Sequence, residues 1–290
     1  MAPAATGGGD TMPELPEMQA LAERVHVALA GSTLERAEPI GFSGLKTVSP
    51  EPASLEGAKL GGVARRGKYL VFSFEGDVRV LVHLSQAGRV DLESPPKETR
   101  PRGSVFRMTF DNATAMLVRE HGSQRKARWW VLGPGEDGPL GALGPEPSEP
   151  AFEALIMDSD STRHVHSLLR DQRAVAGIGR GYVDDALNRA GLSPFASLRS
   201  LAPANRRALV DAVRSVLGEA LQSERGRTGG LSDAKLGTRF HVHNRAGQPC
   251  PRCGGALARV SYESYEIVYC PACQTGGRVL ADRRLSRLLR

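Results

Sequence analysis

The sequence predicts an α+β protein of two domains, an N-terminal helix plus antiparallel β-sandwich followed by a helical domain that ends in a four-cysteine module. Three observations predict it. Apolar residues recur first at helical spacing and then in short alternating runs. A stretch rich in Gly, Pro and acidic residues, 133–150, then interrupts the pattern. A long apolar helical stripe and two Cys-x2-Cys pairs follow, and 290 residues suit about two domains.

The N-terminal domain is predicted to begin with a helix and to continue as strands. Pro16 precedes apolar residues at helical spacing from Met18 to Leu29, and Gly31 provides a stop. Turn residues such as Glu75-Gly76-Asp77 then separate short runs of branched and aromatic residues, which predicts hairpins. The predicted strands are Tyr69–Glu75, Val78–Leu84, Val105–Phe110 and Ala113–Val118.

The second half is predicted to be helical. An apolar stripe from Ala208 to Leu221 starts just after Pro203. Shorter helices are predicted around Phe152–Met157, Thr162–Leu169 and Tyr182–Ala190. The predicted organisation is a disordered leader at 1–11, a β-sandwich domain at 12–132, a linker at 133–150, a helical domain at 151–240, a cysteine module at 241–275 and a basic tail at 276–290.

Charge and composition restrict the class of function. Residues 1–150 hold 17 basic and 19 acidic side chains, whereas residues 151–290 hold 21 and 13. The positive excess of the second half is typical of a nucleic-acid-binding module, and Arg suits phosphate recognition. A genome that favours Arg codons explains the scarcity of Lys equally well. No run of about 18 apolar residues and no secretory signal are present, so we expect a cytoplasmic protein without a membrane span.

The four cysteines are arranged as a metal site. Cys250 and Cys253 form one Cys-x2-Cys pair, and Cys270 and Cys273 form another sixteen residues later. A hairpin between the pairs would bring four thiolates around one tetrahedral Zn²⁺. Because four cysteines fill the coordination sphere, we expect one structural zinc per chain. The alternatives are two disulfides or four free thiols, and disulfides are disfavoured in a protein without a secretory signal.

The motif Met12-Pro13-Glu14-Leu15-Pro16-Glu17 contains residues that the start of a helix does not by itself explain. Pro16 suits the first turn of a helix, and Glu17 is favourable beside its positive end. That interpretation leaves Pro13 and Glu14 without a structural reason.

At this motif the chain resembles the Fpg/Nei family of DNA glycosylases, and its Pro-Glu-Leu-Pro-Glu start resembles the Fpg branch. Further similarities follow in the family's order, from Met12 to about Gln274. They are the basic segment Arg65–Leu70, the interdomain segment Leu143–Pro147, Gly177-Ile178-Gly179 with Tyr182 of the helix–two-turns–helix signature, and Gly247–Gln274 of the zinc finger.

The resemblance implies a fold and a reaction. The second domain would be a helix–two-turns–helix domain with a four-cysteine zinc finger. Pro13, as a free N-terminal amine, would attack C1′ of a damaged nucleotide, Glu14 would transfer protons, and Lys68 would bind phosphate and assist strand cleavage. Family positions that contact DNA correspond to Lys68, Arg66, Arg102, Arg125, Arg180 and Gln86. The implied partner is double-stranded DNA with damaged bases or abasic sites, bound by a monomer in a bacterial nucleoid.

The chain departs from the family pattern at several positions. Arg180 stands where the family has Asn, Gln86 where it has a Met wedge, and Tyr265 where the zinc finger has an Arg. Tyr265 is also explained by ordinary hairpin packing. Eleven residues precede Met12, so the Pro13 nitrogen is a free amine only if the chain starts at Met12 and that Met is removed.

Two functions therefore remain open on the sequence. The first is a base-excision repair glycosylase with AP lyase activity, supported by Pro13, Glu14 and Lys68. The second is a DNA-binding or damage-sensing protein that keeps the fold with impaired catalysis, supported by Arg180, Gln86 and Tyr265.

Overall fold

The computed structural model describes residues 12–41, 43–121, 126–227, 239–262 and 265–281. The described residues divide into two compact units, the first formed from those of 12–141 and 224–227 and the second from those of 142–223 and 239–281. The predicted leader at 1–11 and residues 282–290 of the predicted basic tail lie outside the described residues.

The first unit contains helix α1 (Leu15–Leu29) and two antiparallel four-stranded sheets. Its strands are β1 (Leu34–Pro39), β2 (Leu60–Arg66), β3 (Tyr69–Phe74), β4 (Val78–His83), β5 (Gly88–Glu93), β6 (Ser104–Phe110), β7 (Thr114–Glu120) and β8 (Arg128–Leu132). One sheet has the order β1-β6-β7-β5, and the other has the order β2-β3-β4-β8. The predicted helix and the four predicted strands are all present.

The two sheets share one core, as a β-sandwich requires. Alternate residues of β6 such as Phe106 and Met108 face inward, where they join Phe72 and Val80 of the other sheet. The rings of Phe106 and Trp129 stack with centroids 4.4 Å apart, which joins one sheet to the other. Helix α1 packs against β2 and β3 and buries its apolar stripe there.

The second unit is mainly helical, as predicted. It contains α2 (Pro150–Asp158), α3 (Val165–Arg170), α4 (Arg180–Ala190), most of α5 (Pro203–Gly226), the hairpin β9 (Ala258–Ser261) and β10 (Glu266–Tyr269), and the short helix α6 (Pro271–Thr275). Gly191 in left-handed conformation (φ 69°) ends α4. The hairpin lies between the two cysteine pairs, where the alternating sequence predicted it.

The end of α5 groups with the first unit, whereas the sequence placed all of residues 151–240 in the second domain. Arg24 of α1 donates to the carbonyl oxygens of Glu224 and Arg227, and Glu23 forms an ion pair with Arg225 (2.6 Å). These bonds satisfy carbonyls that a helix C-terminus leaves without partners.

The predicted linker, 133–150, also contributes to both units. Its first part contains a short 3-10 helix, Gly138–Ala142. Its second part packs within the second unit, where Gly144 donates to the Gln172 carbonyl (2.9 Å) and Ala176 donates to the Pro145 carbonyl (2.9 Å). A side chain at residue 144 would overlap the backbone of Ala174, so only Gly fits there. None of the helices that the structure describes is both long enough and apolar enough to cross a membrane.

Candidate functional site

Pro13 and Glu14 directly precede helix α1. Pro13 is buried, and Glu14 is only 4% exposed. The Glu14 N–H donates to Oε2 of Glu17 (2.7 Å), and the Glu14 side chain accepts from the Glu17 N–H, so the two residues form a capping box. Pro16 occupies the first helical turn, as predicted. The fold therefore gives Pro16, Glu17 and the Glu14 side chain places in the helix start, and Glu14 is the acidic residue next to Pro13 in the chain.

Lys68 lies in the two-residue turn between β2 and β3. Arg66 and Tyr69 are paired across this turn, and Gly67 takes a positive φ of 58° that suits glycine. A lysine in a hairpin turn is ordinarily solvent-exposed, but Lys68 is only 5% exposed. The structure therefore places a buried ammonium group at this end of the sheet.

A chain of hydrogen bonds connects the Lys68 turn to α1. Gln19 of α1 accepts from Nε of Arg65 (3.1 Å), and the same guanidinium group donates to the Gly67 carbonyl (3.0 Å). Further along, the Val63 N–H donates to Nδ1 of His26 (3.1 Å). These bonds fix the turn that carries Lys68 relative to the helix that follows Pro13 and Glu14.

His83 completes the surroundings of Lys68. It is paired with Tyr69 across the strands, and the two ring centroids lie 4.9 Å apart. Burial, together with the positive charges of Lys68 and Arg128, lowers the pKa of His83 to about 4. Burial raises the pKa of Tyr69. At neutral pH this part of the site therefore contains neutral His83 and Tyr69 beside the Lys68 cation.

The remaining DNA-contact predictions in the first unit fall on turns and strand ends. Gln86 is exposed in the turn between β4 and β5, and buried Arg89 holds that turn by donating to the Gln86 carbonyl (3.0 Å). Arg66 is half-buried at the end of β2, and Arg102 is exposed in the turn before β6. Arg125 lies outside the described residues. Contact with DNA stays a prediction for each of them.

In the second unit, Arg180 begins α4 and lies near Tyr265. The Arg180 guanidinium carbon is 5.5 Å from the centroid of the Tyr265 ring. Arg170, at the end of α3, stacks closer at 4.3 Å and donates to the tyrosine hydroxyl (3.2 Å). Tyr262 stacks on the same ring with centroids 4.5 Å apart. Sequence reasoning missed Arg170, because it lies 95 positions from Tyr265 in the chain, and it gave no role to Tyr262.

The four predicted zinc ligands converge. The sulfur atoms of Cys250, Cys253, Cys270 and Cys273 all lie within 4.8 Å of one another. Tetrahedral zinc, with Zn–S bonds of about 2.3 Å, separates its sulfurs by about 3.8 Å. The Cys253 and Cys270 sulfurs are 3.5 Å apart. The donor set and its spacing therefore fit one metal ion.

Without a bound metal, the thiols of the cluster have different pKa values. Burial raises the pKa of Cys250, but N–H groups of Arg252 and Asn188 that donate to its sulfur outweigh burial and lower that pKa to about 6. Burial and the neighbouring thiols raise the pKa of Cys273 to about 12. A bound cation would convert all four groups to thiolates.

Side chains outside the cluster connect it to α4. Asn188 donates to the sulfur of Cys250 (3.6 Å) and to Oε1 of Gln274 (3.1 Å). Gln274 in turn accepts from the Cys270 N–H (2.7 Å). The cysteine cluster is thus tied to the helix that begins at Arg180. Sequence reasoning did not identify Asn188 or Gln274, because their roles depend on contacts between distant segments.

A second buried network lies on the same helix. Asp184 is 1% exposed and accepts from Nδ1 of His243 (2.6 Å), and its other oxygen lies 3.2 Å from Nε2 of His166. Burial alone would raise the pKa of Asp184, but the two histidines lower it. Asp185 accepts the backbone N–H groups of His241 and Val242 (both 2.8 Å). Both carboxylates fasten the segment before the cysteines to α4.

Comparison with known proteins agrees with this architecture. Residues 12–129 match the model of the formamidopyrimidine-DNA glycosylase N-terminal domain, and residues 143–230 match the model of the formamidopyrimidine-DNA glycosylase H2TH domain. The chain is 34% identical to the formamidopyrimidine-DNA glycosylase of Thermus thermophilus, over 92% of this chain and all of the relative. The chain belongs to the Fpg/Nei family of DNA glycosylases.

Solved Fpg structures have the same fold. The MutM (Fpg) protein of Thermus thermophilus superposes with a TM-score of 0.76 at 33% identity, over 90% of this chain and 98% of that one. The wild-type Fpg of Lactococcus lactis, in a complex with DNA containing N7-benzyl-Fapy-dG, gives a TM-score of 0.80 at 25% identity, over 91% and 100%. The Fpg/Nei family is therefore supported by domain models, sequence and fold together.

Proposed function

We propose that this Fpg/Nei chain is a base-excision repair enzyme that removes damaged bases from duplex DNA and then cleaves the strand as an AP lyase. One observation carries the proposal. Pro13 and Glu14 are buried at the start of α1, and buried Lys68 lies in a turn that Gln19 and Arg65 tie to that helix. Oxidised bases are the substrate class that the family suggests.

The first chemical step depends on the Pro13 nitrogen. An α-amino group has a pKa of about 8, roughly two units below that of the lysine side chain. At neutral pH a larger fraction of the α-amino group is therefore unprotonated. The Pro13 amine attacks C1′ of the damaged nucleotide and loses its proton, and the bond from C1′ to the base breaks as the base takes up a proton. The C1′–O4′ bond then breaks and O4′ takes up a proton, which opens the sugar ring and leaves an iminium between C1′ and the Pro13 nitrogen. Glu14, the buried carboxyl group next in the chain, is the proposed proton donor and acceptor.

The second step uses the resulting iminium. The iminium makes the C2′ proton acidic, its removal forms a double bond, and the C3′–O bond breaks with the phosphate as leaving group. The ammonium group of Lys68 is proposed to bind that phosphate and to stabilise its charge. Hydrolysis of the iminium then releases the sugar and restores the Pro13 amine.

The proposal requires that Pro13 be the N-terminus of the active protein. The family-domain match begins at residue 12, which supports a chain that starts at Met12 and loses that Met. With residues 1–12 attached, the Pro13 nitrogen is an amide and has no free electron pair for attack.

Borohydride trapping on abasic-site duplex DNA tests this function. We expect a protein expressed from Met12, with Pro13 exposed, to form a covalent adduct within minutes. The matched control is the same protein with residues 1–12 retained, confirmed by intact mass, which should form none. If the Met12-start protein binds the duplex but forms no adduct, the chain is instead the damage-binding protein that Arg180, Gln86 and Tyr265 suggest.

The cysteine cluster is proposed to hold one zinc ion with a structural role. Its four ligands leave no open coordination position for water or substrate. Zinc would neutralise part of the thiolate charge and hold the β9–β10 hairpin against the segment Val242–Cys250.

A further inference from the structure

The aromatic ring of Tyr265 lies close to two arginines of the second unit. Arg170 lies 4.3 Å and Arg180 lies 5.5 Å from the ring centroid, measured from each guanidinium carbon. All three residues are half-buried, so each of them keeps part of its surface accessible. Tyr262, at the other end of the β9–β10 turn, stacks on the ring and supports it.

The two arginines differ from most others in the second unit. Most described arginines there already bind a carboxylate or a backbone carbonyl. The carboxylate pairs are Arg163 with Asp171, Arg189 with Glu219, Arg199 with Asp160, Arg207 and Arg214 with Glu153, and Arg259 with Glu266. Among the residues that the structure describes, no carboxylate lies within 4.0 Å of the Arg170 or Arg180 guanidinium group. Within the described part of the chain, their positive charges are therefore not paired with a carboxylate.

This arrangement is electrostatically unfavourable without an anion. Two guanidinium groups near one ring repel each other, and cation–π contact recovers only about 0.5–1 kcal/mol at an accessible site. Arg180 is also the first residue of α4, whose first turn has no acidic residue, so its charge lies at the positive end of the helix. An anion bound between the two side chains would offset both the repulsion between the arginines and the unfavourable position of Arg180 at the positive end of the helix.

The geometry points to Arg170 and Arg180 as one phosphate-binding pair for the DNA backbone, with Tyr265 as the residue that positions both guanidinium groups. The inference rests on the proposed function only for the identity of the ligand, DNA. Arg180 and Tyr265 stand where the family has Asn and Arg. Arg170, from α3, places a cationic group directly at the Tyr265 ring.

Salt-dependent DNA binding by the full chain tests the pair. The probe is a duplex oligonucleotide with one tetrahydrofuran abasic-site analogue, which binds without forming an iminium. Arg170→Gln should weaken Kd about 10-fold at about 0.1 M salt and reduce the slope of log Kd against log salt by about 0.9. The matched control is Arg199→Gln, which removes the same charge from an exposed arginine that is bound to Asp160. The control should change neither Kd nor the slope by a comparable amount.

The positioning role of Tyr265 has a separate readout. Tyr265→Leu should weaken Kd about 3-fold and reduce the salt slope, whereas Tyr265→Phe, which keeps the ring, should restore most of both. In the double variant with Arg170→Gln the two effects should not add, because both remove one interaction. Zinc content and Tm, measured on every variant, separate loss of the contact from loss of the finger.

The outcomes separate this inference from the proposed function. If wild type binds the duplex and Arg170→Gln behaves like Arg199→Gln, the phosphate pair is overturned and the enzymatic proposal is untouched. If wild type forms no borohydride adduct but Arg170→Gln reduces the salt slope, the enzymatic proposal fails and the pair stands. If wild type does not bind the duplex, the pair is overturned as well.

Discussion

At the scale of single residues, two glutamates three positions apart have different roles. Both side chains belong to the capping box at the start of α1, and Glu14, which is next to Pro13 in the chain, is also the proposed proton-transferring group. The sequence predicted the role of Glu17 from helix chemistry, and only the family resemblance suggested one for Glu14. The resemblance could not show that Lys68, in a hairpin turn, is almost completely buried, because burial depends on what packs over the turn.

The two glutamates make a matched pair of variants. Glu14→Gln should lower the single-turnover rate of base excision by about 100-fold or more with little change in Tm, because it removes the proton-transferring group. Glu17→Ala should lower the free energy of unfolding by about 1 kcal/mol, through loss of the cap, with a much smaller effect on the rate. A rate loss as large in Glu17→Ala as in Glu14→Gln would contradict the assignment.

His83 predicts a pH dependence of stability. Its pKa is about 4 in the folded protein, against about 6.5 in an unfolded chain, so the unfolded state takes up this proton first. Neutral His83 makes its full contribution to the free energy of unfolding above pH about 6.5, and this contribution is lost as the pH falls toward about 4. Between pH 7 and pH 4.5, the free energy of unfolding measured in urea should fall by roughly 2 kcal/mol more for wild type than for His83→Gln. Equal losses in both proteins would show that His83 is not held neutral by the fold.

At the scale of secondary-structure elements, the sequence predicted the helices and strands whose apolar pattern is uninterrupted. Helix α1, the stripe of α5 and strands β3, β4, β6 and β7 were all predicted. β1, β2, β5 and β8 were not predicted. In β1 and β2, shifts of register at Leu34/Arg36 and Leu60/Gly62 break the alternation that marks a strand. The contact of Arg170 with Tyr265 could not be predicted either, since it joins residues 95 positions apart.

Packing of α4 against the segment before the cysteines gives a prediction at this scale. A Cβ atom at residue 181 would overlap the Phe240 ring, so Gly181→Ala should lower the free energy of unfolding by about 1–3 kcal/mol. The control is Gly218→Ala in α5, where the added methyl group meets nothing within 4 Å. That change should stabilise by roughly 0.5–1 kcal/mol, because Ala favours the helix. Gly181→Ala with unchanged stability would show that Phe240 does not pack on α4.

The cysteine cluster predicts one zinc ion per chain. Cys250→Ser should release the metal, lower the stability of the second unit and weaken DNA binding, because Cys250 is buried and bonded to Asn188 of α4. Metal analysis of purified wild type and variant measures the first effect directly. Soluble, folded wild-type protein without zinc would contradict the structural role. Ser223→Ala, in α5 and away from the cluster, serves as the control and should keep the metal.

At the scale of the whole molecule, net charge is a poor guide to the site. The sequence places the positive excess in residues 151–290, yet ion pairs within the second unit engage many of those arginines. The groups proposed for catalysis lie instead in the near-neutral first half, as the motif Pro13-Glu14 and Lys68 indicated. Formal charge counts side chains, whereas binding depends on which of them the fold leaves available.

The central claim is that the nitrogen of Pro13 forms the covalent bond to the abasic sugar. The most direct test is peptide mass mapping of the borohydride-trapped adduct made by protein that starts at Pro13. We predict that the sugar-derived mass lies on the N-terminal peptide and is carried by the Pro13 nitrogen. An adduct on a lysine side chain, with Lys68 the first to inspect, would contradict this claim, and so would binding of abasic-site DNA without any adduct.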